Sequence, residues 1–195
     1  MKKRIEEILA DSIAVKQSIL QDDFMLSKIE KASQLIIDTY RNGGKLLLCG
    51  NGGSAADALH LAGEFCGRFY LDRKPLFAEA LNVNIPTMTA IANDYSFEDV
   101  YARILEAKAQ KGDVLLAIST SGFSPNILKT IDKAKELDVK TIGFTGKCGG
   151  DMANKEIDVL VNVPSKNTPR IQEAHITIGH IICELVEKEL FENEA

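Results

Sequence analysis

The sequence runs to 195 residues with a net charge of −5, 45% hydrophobic and 26% charged residues. That length supports one domain with a full core. The acidic balance, with no basic tract, disfavours nucleic-acid binding, and no apolar run approaches the roughly 20 residues of a membrane span. Cys49, Cys66, Cys148 and Cys183 form no CxxC pair and read as reduced, mostly buried thiols of a cytosolic protein. The opening MKKRIEEILADS has basic residues but no apolar segment behind them, so the expectation is a soluble, cytoplasmic chain without a secretory signal.

Residues 2–20 space Ile5, Ile8, Leu9, Ile13 and Leu20 at helical intervals. Residues 23–41 repeat the pattern with Phe24, Ile29, Leu35, Ile36 and Tyr40, and Asn42-Gly43-Gly44 ends that helix. Two amphipathic helices before the first strand exceed what one sheet face needs. They pack on each other, on the core or on another subunit. Lys45–Glu64, KLLLCGNGGSAADALHLAGE, then reads as buried strand, tight glycine turn and helix start. The next segment carries Arg68, Arg73 and Lys74, read as solvated charge, and Leu76–Leu81 is a short strand. Residues 85–95 form a helix ending in the turn Asn93-Asp94, and 97–108 form another. Asp113–Ile118 is a buried strand that runs into Ser119-Thr120-Ser121-Gly122-Phe123-Ser124-Pro125. Ser124 before Pro125 is a helix start, with hydroxyl at the N-cap and proline at N1. Strands follow at Val139–Thr145 and Asp158–Val163. Thr168-Pro169 opens the last helix, to about Phe191, by the same device. Strand alternating with helix predicts a parallel sheet wrapped by helices. Ligands of such sheets sit beyond the carboxyl ends of the strands, where the GNGGS and STSGFS loops both lie.

The hydroxyl loop suits a phosphate monoester. Ser119, Thr120, Ser121 and Ser124 can donate to phosphate oxygens just before a helix N-terminus, although such a loop can also merely cap a helix. No lysine follows, so this is not a nucleotide P-loop. Gly50–Ala55 also fits a degenerate G-x-G-x-x-A. A dinucleotide reading is disfavoured, because no second strand ends in a ribose-binding acid and the hydroxyl loop is left unexplained. His60 and Glu64, four residues apart, share one helix face and could bind a metal or act as an acid/base pair. Gln172, His175 and His180 are further candidates on the last helix. Gln172 and His180 are about 80° and about 12 Å apart, so one metal reaches both within one chain only with difficulty. A neighbouring chain supplying one of them is the alternative. His175 reads as structural, Asp57 as solvent-facing or helix-starting, and Met25, Met88 and Met152 as filler.

GNGGSAADALHLAGE, Asn93-Asp94, STSGFSPN, FTGKCGGDMA and RIQEAHITIGH together resemble the phosphoheptose isomerases of the sugar-isomerase (SIS) family, over nearly the whole chain. The resemblance implies a single SIS domain over 1–195, α/β, with a three-layer flavodoxin-like fold and a five-stranded parallel sheet. The extra N-terminal helical pair, 1–43, would serve packing or oligomerisation. It implies a cytoplasmic homotetramer with active sites at subunit interfaces, acting on a small sugar phosphate and on neither nucleic acid nor membrane. The implied reaction converts D-sedoheptulose 7-phosphate to D-glycero-D-manno-heptose 7-phosphate through an enediol, the first step of ADP- or GDP-heptose synthesis for lipopolysaccharide or capsule. Carried over, Asn51, Gly52, Gly53, Asn93, Asp94, Glu64 and Gln172 contact the sugar. Ser119, Thr120, Ser121 and Ser124 hold the phosphate. His60, Glu64, Gln172 and His180 bind one zinc per subunit, and Glu64 and His180 are the acid/base pair. Some relatives carry an acid immediately before the arginine of RIQE. Pro169 stands there in this chain, so no proton-shuttle role carries over. Two other classes share the fold: a non-catalytic SIS protein that binds the replication initiator, and a sugar-phosphate-sensing module. Presence of all four of His60, Glu64, Gln172 and His180 favours catalysis.

Overall fold

The computed structural model describes residues 1–192. Among these residues it has five strands and seven α-helices: α1 (Lys2–Leu20), α2 (Asp23–Arg41), β1 (Leu46–Gly50), α3 (Gly53–Cys66), β2 (Ala78–Ala80), α4 (Ile85–Asp94), α5 (Val100–Lys108), β3 (Val114–Ile118), α6 (Pro125–Glu136), β4 (Lys140–Thr145), β5 (Val159–Asn162) and α7 (Thr168–Phe191). Every strand pairing is parallel, in the order β2-β1-β3-β4-β5. This is the expected three-layer, flavodoxin-like arrangement.

Strands buried on both faces read as unbroken apolar runs, because each face meets a helical layer. Leu46 and Leu48 of β1 pack with Ile29 and Ile36 of α2, Leu61 of α3 and Ile178 of α7. Leu47 and Cys49 point the other way, into a core with Tyr101 and Leu105 of α5 and Ile127 and Ile131 of α6. Helix α2 is therefore a core element. Helix α1 is not: it buries only Ile19, and Ile5, Leu9, Ile13 and Leu20 are each more than half exposed. Arg170 of α7 ties α1 down by donating to the Ile8 carbonyl at 2.8 Å.

Four local expectations need correction. Strand β2 covers only Ala78–Ala80, not Leu76–Leu81, because the Leu76 amide donates to the Phe65 carbonyl at the end of α3 rather than to a strand. Ser124 occupies the N-cap of α6 but makes no capping bond; its hydroxyl turns to Ser119. The N-cap of α7 is Asn167 rather than Thr168, and its side chain makes no capping bond either. Only Cys49 and Cys183 are buried, while Cys66 and Cys148, on the α3 terminus and a loop, are exposed free thiols.

Candidate active site

The two ligand loops leave the sheet side by side. β1 and β3 are neighbours, with Gly50 opposite Ile118. The chain places β2 on one side of β1 and returns to place β3 on the other, so the loops flank the switch point where such sheets bind ligands. The buried Tyr101 hydroxyl donates to the Gly50 carbonyl at 2.6 Å and fixes the end of β1. Gly52 then turns the chain into α3 at φ +56°, a conformation that disfavours a side chain. Gly53 lets α7 approach: a methyl there would lie 2.5 Å from the Gln172 side-chain nitrogen.

A residue that sequence reasoning did not single out joins the loops. The Asn51 amide nitrogen donates to Asn126 Oδ1 at 2.8 Å, and the Asn126 nitrogen donates back to Asn51 Oδ1 at 2.9 Å. Asn126 is 2% exposed, in the first turn of α6. The reciprocal pair fixes the half-buried Asn51 carboxamide while committing only one of its two N–H groups and one oxygen lone pair. The only sequence signal was a carboxamide directly after the Ser124-Pro125 helix start.

The hydroxyl loop is closed upon itself. Ser119 Oγ and Ser124 Oγ are 3.0 Å apart, the Gly122 amide donates to Ser119 Oγ at 3.2 Å, and the Phe123 amide donates to Ser121 Oγ at 3.2 Å. Ser119 is buried, Thr120 and Ser124 are half-buried and Ser121 is exposed. The hydroxyls of Ser119, Ser121 and Ser124 are thus tied into the loop before the N-terminus of α6, where the helix dipole favours an anion, and Thr120 stands in the same loop.

The second cluster lies two turns along α3. His60 Nε2 is 2.9 Å from Glu64 Oε1 and 3.4 Å from His180 Nε2 of α7. Gly179 makes this meeting possible: a methyl there would sit 2.6 and 2.7 Å from the Leu61 methyls. Without a side chain at Gly179 the two helices pack closely enough for His60 and His180 to touch edge to face, with ring centroids 5.0 Å apart. The ligand atoms of His60, Glu64 and His180 all lie within 4.8 Å of one another. Two imidazole nitrogens and a carboxylate oxygen, each able to offer an electron pair, converge on one point. A divalent cation relieves that arrangement, so the residues fit a metal ion. Gln172 is held away at Gly53, about 12 Å along α7 from His180.

Asn93 and Asp94 are exposed at the end of α4, and the Asn93 amide donates to Asp94 at 2.8 Å. His175 is 1% exposed; burial lowers its pKa to about 4, and its Nε2 faces the Thr145 carbonyl at 3.2 Å. It is structural, as expected. Asp57 departs from a solvent-facing reading: it is half-buried, Oδ2 has no partner, and burial raises its pKa. Arg73 departs further. Its side chain is 3% exposed in an ion pair with Glu187 at 2.9 Å.

Fold and site together define a SIS domain, and the SIS domain family matches residues 9–146. The phosphoheptose isomerase of Clostridium acetobutylicum is 51% identical over 98% of this chain and 97% of its own length. Among solved structures, phosphoheptose isomerase GmhA from Neisseria gonorrhoeae superposes with a TM-score of 0.89 at 40% identity, covering 96% of this chain and 98% of that one. A phosphoheptose isomerase from Francisella tularensis gives 0.91 at 34% identity, covering 95% and 97%. The chain belongs to the phosphoheptose isomerases, SIS-domain enzymes that isomerise a sugar phosphate.

Proposed function

We propose that this chain interconverts D-sedoheptulose 7-phosphate and D-glycero-D-manno-heptose 7-phosphate, the entry to ADP- or GDP-heptose for lipopolysaccharide or capsule. The convergence of His60, Glu64 and His180 carries this reading. A sugar-phosphate sensor or an initiator-binding protein would use the hydroxyl loop but has no need for a carboxylate and two imidazoles aimed at one point.

The roles follow from what each group can do. Ser119, Thr120, Ser121 and Ser124 donate to the phosphate, aided by the N-terminus of α6. Asn51, Gly52 and Gly53 line the sugar, with Gln172, Asn93 and Asp94 as further contacts. Glu64 takes the proton from C1 of the ketose as the C2 carbonyl oxygen receives one from His180, giving the enediol. The C1 hydroxyl then returns a proton to His180 while Glu64 delivers its proton to C2, which completes the aldose and restores both groups. No electron leaves or enters the sugar. His60, Glu64 and His180, with Gln172 of a second copy, would hold one zinc ion per subunit, and its chemistry there is to lower the energy of negative charge on the substrate oxygens. The separation of Gln172 from His180 along α7 supports a second copy as the source of this ligand, in which case the complete site would lie at a subunit interface. The exposed apolar face of α1 supports a homotetramer. A phosphorylated metabolite as substrate supports a cytoplasmic location.

The test is incubation with sedoheptulose 7-phosphate and, separately, unphosphorylated sedoheptulose, before and after chelation and zinc addition, with product read by NMR. Turnover of the phosphate ester alone, lost on chelation and restored by zinc, is expected. Folded protein inert under every metal condition would return the reading to a binding module. Separation into monomers that keep the full metal affinity would remove the interface assignment.

A further inference from the structure

The segment between α3 and β2 is fastened by a buried ion pair outside the reacting group. Glu187 Oε1 accepts from the Phe69 amide at 2.9 Å and Arg73 Nε at 2.9 Å. Its Oε2 accepts from the Tyr70 amide at 2.6 Å and the Leu71 amide at 3.0 Å. Burial opposes the Glu187 charge, yet the amides of Leu71, Phe69 and Tyr70 and the Arg73 guanidinium together hold its carboxyl below the usual carboxylate range. Arg73 in turn donates through Nη1 to the Phe65 carbonyl at 2.8 Å and through Nη2 to the Glu64 carbonyl at 3.0 Å. Those carbonyls belong to the last turn of α3, which has no helical donors of its own left. The guanidinium is therefore the C-terminal cap of the helix that carries His60 and Glu64.

The other end of the clamp reaches His180. Glu187 is seven residues beyond His180 on α7, so the two project from nearly one face. The clamped segment lays the Phe69 ring 5.6 Å from the His180 ring, tilted by 45°, and Tyr70 packs on Phe69 at 4.6 Å. One buried pair thus fixes the backbone of Glu64 and the packing of His180 at the same time.

We infer that the Arg73–Glu187 pair, acting through Phe69, is the positioning device that sets Glu64 against His180. Arg73, Glu187 and Phe69 are positioning residues: none of them needs to touch substrate. The inference rests on the isomerase reading of the site.

The variants are Arg73→Lys, which keeps the charge but cannot fork to two carbonyls, and Phe69→Leu, which removes the ring and leaves the ion pair. Lys74→Ala, with an exposed side chain, is the control. Three readouts are taken on each: kcat and KM with sedoheptulose 7-phosphate, the affinity and visible absorption of added Co2+, and the His180 ring-proton shifts of the metal-free protein. The expectation for both variants is a fall in kcat and in Co2+ affinity of about tenfold to a hundredfold. KM should change less than kcat, the Co2+ spectrum should alter, and the His180 protons should move as the Phe69 ring current is displaced in Arg73→Lys and lost in Phe69→Leu. If Arg73→Lys does not fold, Phe69→Leu decides alone. Folded variants with kcat, Co2+ spectrum and His180 shifts like those of the control overturn the inference. A wild-type protein without turnover overturns the isomerase reading instead, and the His180 shifts still report whether the clamp positions that ring.

Discussion

The meeting of α3 and α7 at Gly179 is a point where a single methyl group should decide whether the site assembles. A methyl at Gly179 would lie 2.6 and 2.7 Å from the Leu61 methyls, about 1 Å inside ordinary contact. Overpacking of this kind costs about 1–3 kcal/mol, while replacing a helical glycine by alanine returns about 1 kcal/mol. Gly179→Ala is therefore expected to destabilise the wild type by about 1 kcal/mol. Leu61 is 1% exposed, so Leu61→Ala alone should cost about 2–5 kcal/mol. In that background the new methyl meets space instead of Leu61. Gly179→Ala should then stabilise by about 1 kcal/mol, a coupling of about 2 kcal/mol between the sites. Urea unfolding of the four proteins measures this directly. Activity should follow: Leu61 adjoins His60 and Gly179 adjoins His180, and a displacement of about 1 Å in a reacting group can cost about a hundredfold in rate. An effect of Gly179→Ala with the same sign and size in both backgrounds would refute the close-approach argument.

Three further outcomes are expected. Glu64→Gln should lower kcat at least about a hundredfold with the fold retained, the ordinary contribution of a general base; near-normal turnover sinks the assignment. His175, held neutral with a pKa of about 4, takes up its proton in the unfolded chain near pH 6.5 before it can do so in the folded one. Its contribution is complete above that pH and is lost as the pH falls toward 4, by about 2 kcal/mol between pH 7 and pH 5. Glu187 is held below the usual carboxylate range, so its loss comes at lower pH still. Urea unfolding of His175→Leu should show that much less pH dependence over the pH 7–5 window, and an unchanged slope would contradict the burial argument. Asn126→Leu, which strands the Asn51 amide, should raise KM for the sugar phosphate more than it lowers kcat. Steady-state kinetics with KM unchanged would detach the amide pair from ligand binding.

What the sequence made legible was what is local. Helix period, the apolar runs of β1, β3 and β4, and glycine and proline punctuation placed most elements within a residue or two. His60 and Glu64 were visible because helical spacing alone sets them on one face. His180 could be named but not placed, since its meeting with His60 spans 120 residues of sequence and depends on the missing side chain at Gly179. Arg73 looked like surface charge because its partner Glu187 lies 114 residues away; burial of a charge is a property of the pair, not of the residue. Asn126 was silent for the same reason, its partner Asn51 being 75 residues back. The hydroxyl of Ser124 was assigned to a helix cap because the local rule is strong, and tertiary closure of the loop onto Ser119 overrode it.

The most direct test of the central claim is isomerisation of sedoheptulose 7-phosphate in D2O by the zinc-loaded protein, followed by proton NMR. An enediol route through Glu64 predicts heptose 7-phosphate carrying solvent deuterium at C2, and loss of both product and label in Glu64→Gln. Absence of product from folded, metal-loaded protein, or product formed at an undiminished rate by Glu64→Gln, would contradict it.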